Sequence, residues 1–377
     1  MATKVLHLTT VHPIDDVRVF RKEVRSLREA GFDVTVAGIR SGELPSDIEP
    51  AVIFEQISSR WRRVMTSWSR AIKVCEAERP DILHFHDPEI LAVLPFVRRS
   101  CGIIIYDSHE CLSEAVYHKD YLPRIFRPFV SVVVGWVEKI FIRFADGLVV
   151  PTPHIAEYFR LSGKPLVQIA NYPETTSLPA LEAFELRSPR AVYTGGLAFV
   201  RGLKQMVQGA EEAGIVLDLA GPADGDGSRF LKSVQATNIH THGQISHSRA
   251  LALQAGAMVG MSLLMPRKQY LNAIPTKVFE FLASGLAVIC SDFPFLRRLF
   301  SGFHGIYFVN PEDSSQVAAA MQEAIRNYPS MSHQLLENRQ RVLRQFTWEG
   351  ESARLGMFYQ TLLKQRSCPE TDRASVT

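Results

Sequence analysis

The sequence predicts an α/β protein made of two doubly wound domains with parallel sheets. Short apolar strands alternate with amphipathic helices from Lys4 to Pro151, and the alternation starts again at Ala191. Between the two runs, residues 171–190 lack periodicity and contain three prolines, so we expect a linker there. Alternating strands and helices favour parallel sheets with right-handed crossovers. Two such domains joined by a linker are expected to hold a ligand in a cleft between them, at the carboxyl ends of the strands.

The composition supports this organisation and argues against several other classes of protein. The 377 residues are 46% hydrophobic, and 42 basic residues against 39 acidic ones leave a net charge of +3, which does not indicate a nucleic-acid partner. The five cysteines are scattered without a C-x-x-C pair, as is typical of reduced thiols. No signal peptide precedes the first strand, so a cytoplasmic location is expected. The longest apolar run, Phe129–Val137, is shorter than the ~20 residues that span a bilayer.

The first domain, residues 1–170, begins with a strand, a helix and a second strand. The helix is expected at Val17–Ala30, because Phe20, Val24 and Leu27 recur at helical spacing and Gly31 follows. Strands are expected at 4–9, 32–38, 51–54, 82–86, 103–107 and 148–151.

The second domain, residues 191–346, repeats the pattern. Strands are expected at 191–194, 215–220, 239–242, 258–263, 286–289 and 305–309, and helices at 202–213, 247–255 and 315–327. A last helix is expected within 347–364, starting at Trp348. The polar tail 365–377 is expected to be disordered.

The segment from Pro275 to Asp292 carries the strongest functional signal. It predicts a loop, a short helix with Pro275 at its first position, a stop at Gly285 and a buried strand. Lys277 falls in the first turn, where the helix dipole disfavours a cation unless an anion also binds there. Glu280, about one turn later, is suitably placed to accept hydrogen bonds from sugar hydroxyls. The pattern suggests a nucleotide or sugar-phosphate site, although an amphipathic helix with two solvated charges explains it equally well.

A second basic pattern follows the strand that ends at Thr194. Gly195 and Gly196 allow the backbone to approach a ligand closely. Arg201 and Lys204 are expected on one face at the start of the next helix, where a bound diphosphate would explain the cations. The alternative is a solvated basic surface.

Metal, cofactor and covalent chemistry find less support in the sequence. His84, His86 and Asp87 have the spacing of metal ligands, but nothing else in the sequence completes a recognisable site, so a polar cleft lining or core histidines are favoured. Asp224 and Asp226 form a D-x-D pair that turn chemistry already explains. The sequence has no G-x-S-x-G elbow, P-loop or G-x-G-x-x-G fingerprint. We therefore predict neither a metal nor a cofactor.

The order of several segments resembles that of known enzymes. PTKVFEFLASGLAVICSDFP (275–294), YDSHE (106–110), YTGGL (193–197) and KEVRSLREAGFDVTVAG (22–38) together resemble the retaining glycosyltransferases of the GT-B fold, family 4 type. The match runs from Lys4 to Lys364. It implies two Rossmann-like domains facing a central cleft and a last helix that returns to the first domain. It also implies metal-independent transfer of a sugar from a nucleotide-sugar to an acceptor hydroxyl, with retention of anomeric configuration.

The resemblance also implies residue roles. Glu280 would bind the nucleotide ribose, Arg201 and Lys277 the diphosphate, and His109 would face the donor sugar and the departing diphosphate. The amides around Asn272–Thr276 would help stabilise that leaving group. Further substrate-binding positions are expected at Asp16, Arg18, His86, Gly195, Gly196, Lys204, Gly243, Gln244, Asn272, Ile274, Pro275 and Thr276.

The sequence departs from the family pattern in three segments, which are residue 272, residues 196–201 and residues 15–16. Asn272 stands where the family has a carboxylate for the donor sugar, and Gly196 stands where it often has an arginine. Arg201 replaces a usual lysine, and Asp15–Asp16 replace two glycines of the first-domain loop. Two alternatives therefore stay open beside the transferase: a nucleotide-sugar epimerase of the same architecture, and a non-catalytic sugar-nucleotide-binding relative.

The acceptor is less clear than the donor. The stretch Ser59–Lys73 combines arginines with an apolar face of Trp61, Val64, Met65 and Trp68, and a second apolar stretch with basic flanks covers Ile125–Phe144. Both suit docking to an anionic membrane surface and a lipid-linked sugar acceptor, in cell-surface polysaccharide or glycolipid assembly. Ordinary amphipathic core helices are the alternative.

Overall fold

A computed structural model describes residues 2–40, 47–57, 60–117, 123–178, 181 and 183–367, without the side chains of Arg60 and Trp61. The chain folds into two compact units. The first unit comprises Met1–Asn171 and Glu349–Thr377, and the second comprises Tyr172–Trp348. No helix in the described ranges has both the length and the apolar character needed to cross a bilayer.

The first unit is built on a parallel sheet of seven strands. The strands are β1 (Lys4–Pro13), β2 (Asp33–Ile39), β3 (Ala51–Phe54), β4 (Ile82–Phe85), β5 (Ile103–Asp107), β6 (Gly147–Val150) and β7 (Leu166–Gln168). The helices are α1 (Arg25–Glu29), α2 (Arg60–Glu78), α3 (Leu94–Val97), α4 (Leu112–Tyr117), α5 (Arg127–Phe141) and α6 (Pro153–Phe159). A π-helix (Val17–Val24) and four 3-10 turns (Pro88–Val93, Arg124–Phe126, Ile142–Phe144 and Arg160–Ser162) complete the unit up to β7.

The strand order in this sheet is β3-β2-β1-β4-β5-β6-β7, so the order reverses between β1 and β4. Ligands bind at such a reversal in open parallel sheets. Every residue of β4 and β5 is buried, as expected of strands covered on both faces. Six of the strands follow the predicted pattern, while β7 is short and half-buried and was not predicted.

The predicted helix after β1 begins as a π-helix and continues into α1. The Asp16 side chain caps it by accepting hydrogen bonds from the amides of Arg18 (2.8 Å) and Val19 (3.0 Å). Phe20, which is fully buried, anchors the helix against the sheet.

The second unit is built on a parallel sheet of six strands. The strands are β8 (Ser188–Thr194), β9 (Val216–Ala220), β10 (Ile239–Gly243), β11 (Ala257–Ser262), β12 (Ala287–Ser291) and β13 (Ile306–Val309). The helices are α7 (Leu203–Ala213), α8 (Gly225–Ser233), α9 (His247–Ala255), α10 (Lys268–Leu271), α11 (Thr276–Ala283), α12 (Pro294–Leu299), α13 (Ser314–Asn327) and α14 (Ser332–Gln345). The 3-10 turns are Thr175–Ser177, Phe184–Leu186, Phe199–Arg201 and Tyr328–Met331. The order β10-β9-β8-β11-β12-β13 reverses between β8 and β11.

The segment expected to be a linker packs onto the second unit. Tyr172 makes edge contacts with the rings of Phe279 and Phe346. The buried guanidinium of Arg187 donates to the carbonyl of Ser284 at 2.7 Å. Strand β8 starts at Ser188, three residues before the predicted strand.

The turn predicted around Asp224 and Asp226 is wrong. Asp224 caps α8 instead, accepting a hydrogen bond from the amide of Gly227 at 2.6 Å. Asp226 lies in the first helical turn and pairs with Arg229. Aspartate favours turns and helix N-caps through the same side-chain-to-amide hydrogen bond, so the sequence signal was ambiguous.

The last helix, α15 (Trp348–Ser367), packs on the first unit. A Cβ atom on Gly147 would lie 2.8 Å from side-chain atoms of Phe358 and Leu362, so α15 lies directly over the start of β6. The helix continues three residues beyond the predicted end, so residues 365–367, which were expected to be disordered, are helical. Residues 368–377 lie outside the described residues.

Candidate functional site

In the second unit, three glycine turns meet at the carboxyl ends of β8, β9 and β10. The amide of Gly195 donates to the carbonyl of Ala220 at 2.8 Å, and the amide of Gly221 donates to the carbonyl of Gly243 at 2.7 Å. A Cβ atom on Gly221 would lie 1.9 Å from the carbonyl oxygen of Gly195. The backbones therefore touch where a side chain would separate them, and the predicted residues Gly195, Gly196 and Gly243 lie along one edge of the sheet.

Arg201 belongs to this edge, although its place in the helix was predicted wrongly. It ends the 3-10 turn Phe199–Arg201, and Gly202, with φ of 72°, separates it from α7. Arg201 and Lys204 thus lie in different elements and do not share a helical face; both are exposed. Arg201 contacts the hydroxyl of Tyr193, where burial raises the pKa of the tyrosine and the guanidinium partly offsets that rise. Tyr193 in turn donates to the carbonyl of Gly196 at 3.0 Å.

The loop between β11 and α11 passes beside Arg201. The amide of Met265 donates to the carbonyl of Val200 at 3.0 Å, and the side chain of Ser291 holds the amide of Leu264 at 2.7 Å. Further along, the loop carries the half-buried residues Asn272, Ile274, Pro275 and Thr276 into the start of α11. Arg201 and the predicted 272–276 segment are therefore tied to one continuous loop.

Helices α7 and α11 both begin without a side-chain cap. Pro275, predicted as the first helical residue, is the N-cap of α11 and has no hydroxyl or carboxylate to offer. Gly202 occupies the same position in α7. By contrast, α8 and α13 are capped by Asp224 and Asp313. An uncapped N-terminus leaves backbone amides for another acceptor, such as an anion.

Lys277 and Glu280 contact each other in the first turns of α11. The Lys277 Nζ donates to Glu280 Oε2 at 2.8 Å, and both side chains are partly buried. The positive charge of Lys277, which the helix dipole disfavours at the start of a helix, is thus balanced by the carboxylate of Glu280 one turn later. Gln244 follows β10 at its exposed end beside Gly243.

The first unit holds a separate polar cluster near the reversal between β1 and β4. Arg18 lies in it, buried, and donates through Nε to Glu23 at 3.1 Å and through NH2 to Asp107 at 3.2 Å. Burial would raise the pKa of Asp107, but Arg18 and His109 outweigh it and hold the pKa well below its usual range. For Glu23, burial and the nearby Asp107 raise the pKa well above its usual range.

Histidines fill the rest of the cluster. His7 Nδ1 lies 3.1 Å from His86 Nε2, and His86 Nδ1 lies 3.3 Å from His109 Nε2. Burial lowers the pKa of His86 to about 3 and also lowers those of His7 and His84. The enclosed imidazoles are therefore neutral at physiological pH.

His109 connects this cluster to a surface pocket of about 260 Å³. Its Nε2 lies 3.4 Å from Asp107 Oδ2, and the side chain is 29% exposed. The pocket is lined by His12, His86, Asp87, Pro88, Tyr106, His109, Glu110 and Leu112. The structure thus brings the predicted residues Arg18, His86 and His109 together, with Asp16 at the helix cap beside them.

Sequence reasoning missed four members of the cluster: His7, Glu23, Asp107 as its central carboxylate, and Tyr359. The Tyr359 hydroxyl lies 2.5 Å from His84 Nδ1 and 3.2 Å from His7 Nε2. These residues come from distant segments of the chain, and no local pattern links them. The alternating LHFH segment, residues 83–86, was the one available signal.

Comparison with known proteins decides the family. The model for Glycosyltransferase Family 4 matches residues 17–171, and the model for Glycosyl transferase-like domains matches residues 200–355. The two matches follow the two units and together span most of the chain. The chain is a glycosyltransferase of the GT-B fold. No sequence among the curated proteins matches it.

Solved structures agree on the fold of this glycosyltransferase. Sucrose-phosphate synthase from Thermosynechococcus elongatus is 18% identical, with a TM-score of 0.75 over 97% of this chain and 100% of the other. HepE from Anabaena, solved with UDP and glucose, is 10% identical, with a TM-score of 0.71 over 95% and 100%. A glycosyltransferase from Rickettsia africae is 12% identical, with a TM-score of 0.69 over 96% and 99%. At these identities the likeness concerns the fold alone.

The glycosyltransferase also carries an exposed apolar surface on its first unit. Ile125, Phe129, Val132 and Trp136 recur at helical spacing on and before α5, and each is between 65% and 82% exposed. This surface, which we call the α5 face, is not an ordinary core-packed helix face.

The other stretch considered for membrane docking behaves differently. Trp68 of α2 packs against the core and donates from its indole to the carbonyl of Glu89 at 2.8 Å. Arg70 donates to the carbonyl of Glu55 and lies over the ring of Phe54. Docking through Trp68 is therefore wrong, because that side chain is already used inside the unit; Ser59 and the side chains of Arg60 and Trp61 lie outside the described part of the chain.

Proposed function

We propose that the glycosyltransferase moves a sugar from a nucleoside diphosphate sugar to an acceptor hydroxyl with retention of anomeric configuration. The single observation that carries this proposal is the Lys277–Glu280 pair in the first turns of an uncapped helix, at the end of the loop that contacts Val200 next to Arg201. Lys277 and the free amides suit a diphosphate, and Glu280 suits the hydroxyls of a pentose.

Charge favours the same location for the leaving group. Arg201 and Lys204 are exposed cations that follow the β8 turn, and Lys277 adds a third at α11. A departing diphosphate gains negative charge in an oxocarbenium-like transition state, so fixed cations and helix amides stabilise it without reorganisation. HepE, a structural neighbour, has been solved with UDP and with UDP-glucose, which makes these the first probes to use.

Retention is proposed from the resemblance to retaining glycosyltransferases, and the absence of a carboxylate at position 272 bears on how it is achieved. Asn272 is a poor nucleophile, so a double displacement through it is disfavoured. In the front-face alternative, the bond between the anomeric carbon and the diphosphate oxygen breaks while the acceptor oxygen bonds to that carbon on the same face. The departing diphosphate oxygen takes the proton of the acceptor hydroxyl. The Asn272 amide is then free to bind a donor-sugar hydroxyl, and His109 is assigned by resemblance to the donor-sugar side.

The test is a panel of nucleotide-sugars, scored first by thermal shift and then by product analysis. A bound donor raises the unfolding midpoint because it binds the folded state alone. With an acceptor present, NMR of the product should show the anomeric configuration of the donor. An inverted product would refute retention, and isomerised donor in the absence of acceptor would favour an epimerase.

We further propose that the acceptor is lipid-linked and that the α5 face docks on an anionic membrane surface. The apolar side chains of the α5 face are flanked by Arg124 and Arg127. A nearby pocket of about 380 Å³ is lined in part by Lys139, Arg143 and Lys164. Apolar side chains with adjacent cations are the combination that binds anionic interfaces. Such docking suits an enzyme of glycolipid or cell-surface polysaccharide assembly.

A further inference from the structure

We propose that the first unit binds a divalent metal ion of the zinc type in a closed, buried site formed by Glu23, His84, His86 and Asp107. Each of the four offers one ligand atom, and these atoms all lie within 4.8 Å of one another. All four residues are buried. Zn²⁺ binds histidine nitrogen and carboxylate oxygen, and a structural zinc site has four protein ligands in a tetrahedron.

The ligand atoms of Asp107, His84 and His86 approach the spacing that a tetrahedral ion requires. With metal–ligand bonds of about 2.0–2.1 Å, neighbouring ligand atoms in a tetrahedron lie about 3.3 Å apart. His86 Nδ1 lies 3.3 Å from Asp107 Oδ2, and His84 Nε2 lies 3.7 Å from the same oxygen. The ligand oxygen of Glu23 lies within 4.8 Å of the other ligand atoms. Small side-chain rotations are therefore enough to bring the four ligand atoms to bonding distance of one ion.

Two atoms of the set lack a hydrogen-bond partner within the described structure. They are Glu23 Oε2 and His84 Nε2, and both belong to fully enclosed side chains. Leaving a buried polar atom unpaired is costly, so such atoms call for a partner. A cation placed between them satisfies both at once.

The surrounding groups orient the ligands as outer partners do in metal sites. Tyr359 OH lies 2.5 Å from His84 Nδ1, which leaves Nε2 directed into the set. His7 holds Nε2 of His86 at 3.1 Å, and that contact leaves Nδ1 on the Asp107 side. Arg18 binds Oε1 of Glu23, leaving Oε2 for the ion. Ligating histidines nearly always bond a second group through the other ring nitrogen.

The site is closed, because its four ligands are protein side chains and all are buried. We therefore assign the ion to holding β4, β5 and the π-helix together, and not to the sugar-transfer chemistry. A second group with metal-binding spacing offers three ligands: Cys111, which is buried, and Glu114 and His154, which are partly exposed. It contains a thiolate ligand and serves as an internal comparison.

The test uses the full chain, stripped with a chelator and reloaded with Zn²⁺ or Co²⁺. We expect one tightly held equivalent of metal and, with Co²⁺, tetrahedral visible bands without a thiolate charge-transfer band. Glu23→Gln and His84→Gln should each weaken Co²⁺ binding at least about tenfold, because even the loss of an outer partner of a metal ligand lowers the affinity about 10- to 100-fold. His154→Gln, the matched control, should leave this binding unchanged.

Three results would overturn the proposal. They are a stripped wild-type chain that retains no Zn²⁺ after dialysis, a Co²⁺ spectrum with a thiolate band that His154→Gln removes, and equal affinity in Glu23→Gln. Because the wild-type spectrum alone separates the two groups of ligands, the test holds even where a buried variant fails to fold.

Discussion

Lys277 donates a hydrogen bond to Glu280 across one turn of α11, with 2.8 Å between Nζ and Oε2. A partly exposed pair of this kind contributes only about 0–1 kcal/mol to stability. A diphosphate that competes for Lys277 and a ribose that competes for Glu280 therefore separate the pair at small cost. The two residues should affect different parts of the same nucleotide, which makes their variants distinguishable.

Glu280→Ala should weaken binding of a nucleoside diphosphate while leaving inorganic pyrophosphate binding unchanged. Hydrogen bonds to a charged group contribute about 1.5–3 kcal/mol, so the loss should be on the order of 10- to 100-fold. Calorimetry with UDP and with pyrophosphate measures the two binding affinities. Glu157→Gln, which removes the carboxylate of another i,i+3 pair in the first unit, is the control. Equal UDP affinity in Glu280→Ala and wild type would contradict the ribose role.

Lys277→Met should show the opposite pattern. It removes a cation but no ribose contact, so pyrophosphate and UDP should both bind about tenfold more weakly, while uridine should bind as before. Lys232→Met, at an exposed position of α8, should change none of the three. A loss of uridine binding in Lys277→Met would indicate that the helix itself had been disturbed.

Gly221→Ala should strongly destabilise the second unit, whereas Gly196→Ala should change its free energy of unfolding by less than about 0.5 kcal/mol. At Gly221, φ is 143° and the new methyl group would lie 1.9 Å from the Gly195 carbonyl oxygen. At Gly196 the nearest atom is Arg201 Nε at 3.9 Å, an ordinary contact. Urea unfolding of the two variants measures the difference. Similar midpoints would mean that the glycine turns are not held together as described.

Glu138→Gln should make the protein more stable than wild type at pH 8 but not at pH 4.5. Burial raises the pKa of Glu138 from 4.5 to about 7, although Tyr158 and Tyr106 donate hydrogen bonds to it. The unfolded chain releases this proton near pH 4.5, so the contribution of Glu138 to stability falls as pH rises from about 4.5 to 7 and then stays level. The full difference is on the order of 3 kcal/mol. Urea unfolding across this range should show the two curves diverging; parallel curves would contradict the raised pKa.

Phe129→Ser and Trp136→Ser should reduce binding to vesicles that contain anionic lipid. Each removes an exposed aromatic side chain from the α5 face, and burying such a side chain contributes about 1.5–3 kcal/mol, so each affinity should fall on the order of 10- to 100-fold. Leu186→Ser, at a similarly exposed position of the second unit, is the control. Flotation in low and high salt measures the effect, and wild-type chain that fails to float at either salt would remove the membrane proposal.

Local signals were sufficient to predict α11. Its apolar spacing and the glycine at its end are contained in a single short segment, and Gly285 does adopt φ of 75°. Local signals failed where one residue type serves two structures, as Asp224 shows. They also failed at Arg201, because the left-handed Gly202 that divides the turn from α7 has no distinct mark in the sequence.

The polar cluster of the first unit could not be predicted, because strand register creates it. His7 pairs with His84 in the β1–β4 ladder, and Tyr359 reaches both from the last helix. No residue in the cluster is unusual for its own segment. Only the pairing of distant segments puts their side chains on one face. No local pattern in the sequence shows which segments pair.

The first unit contains both the beginning and the end of the chain, since Glu349–Ser367 packs with Met1–Asn171. During translation, a ribosome that has made β1 to β7 has not yet made Tyr359, which contacts His7 and His84, or Leu362, which packs on Gly147. The first unit therefore lacks these contacts, and its polar interior is incomplete, until the whole second unit has been synthesised. A stop codon just after residue 347 would remove only one of the fifteen α-helices in the described part of the chain but would leave the amino-terminal half of the enzyme unfinished.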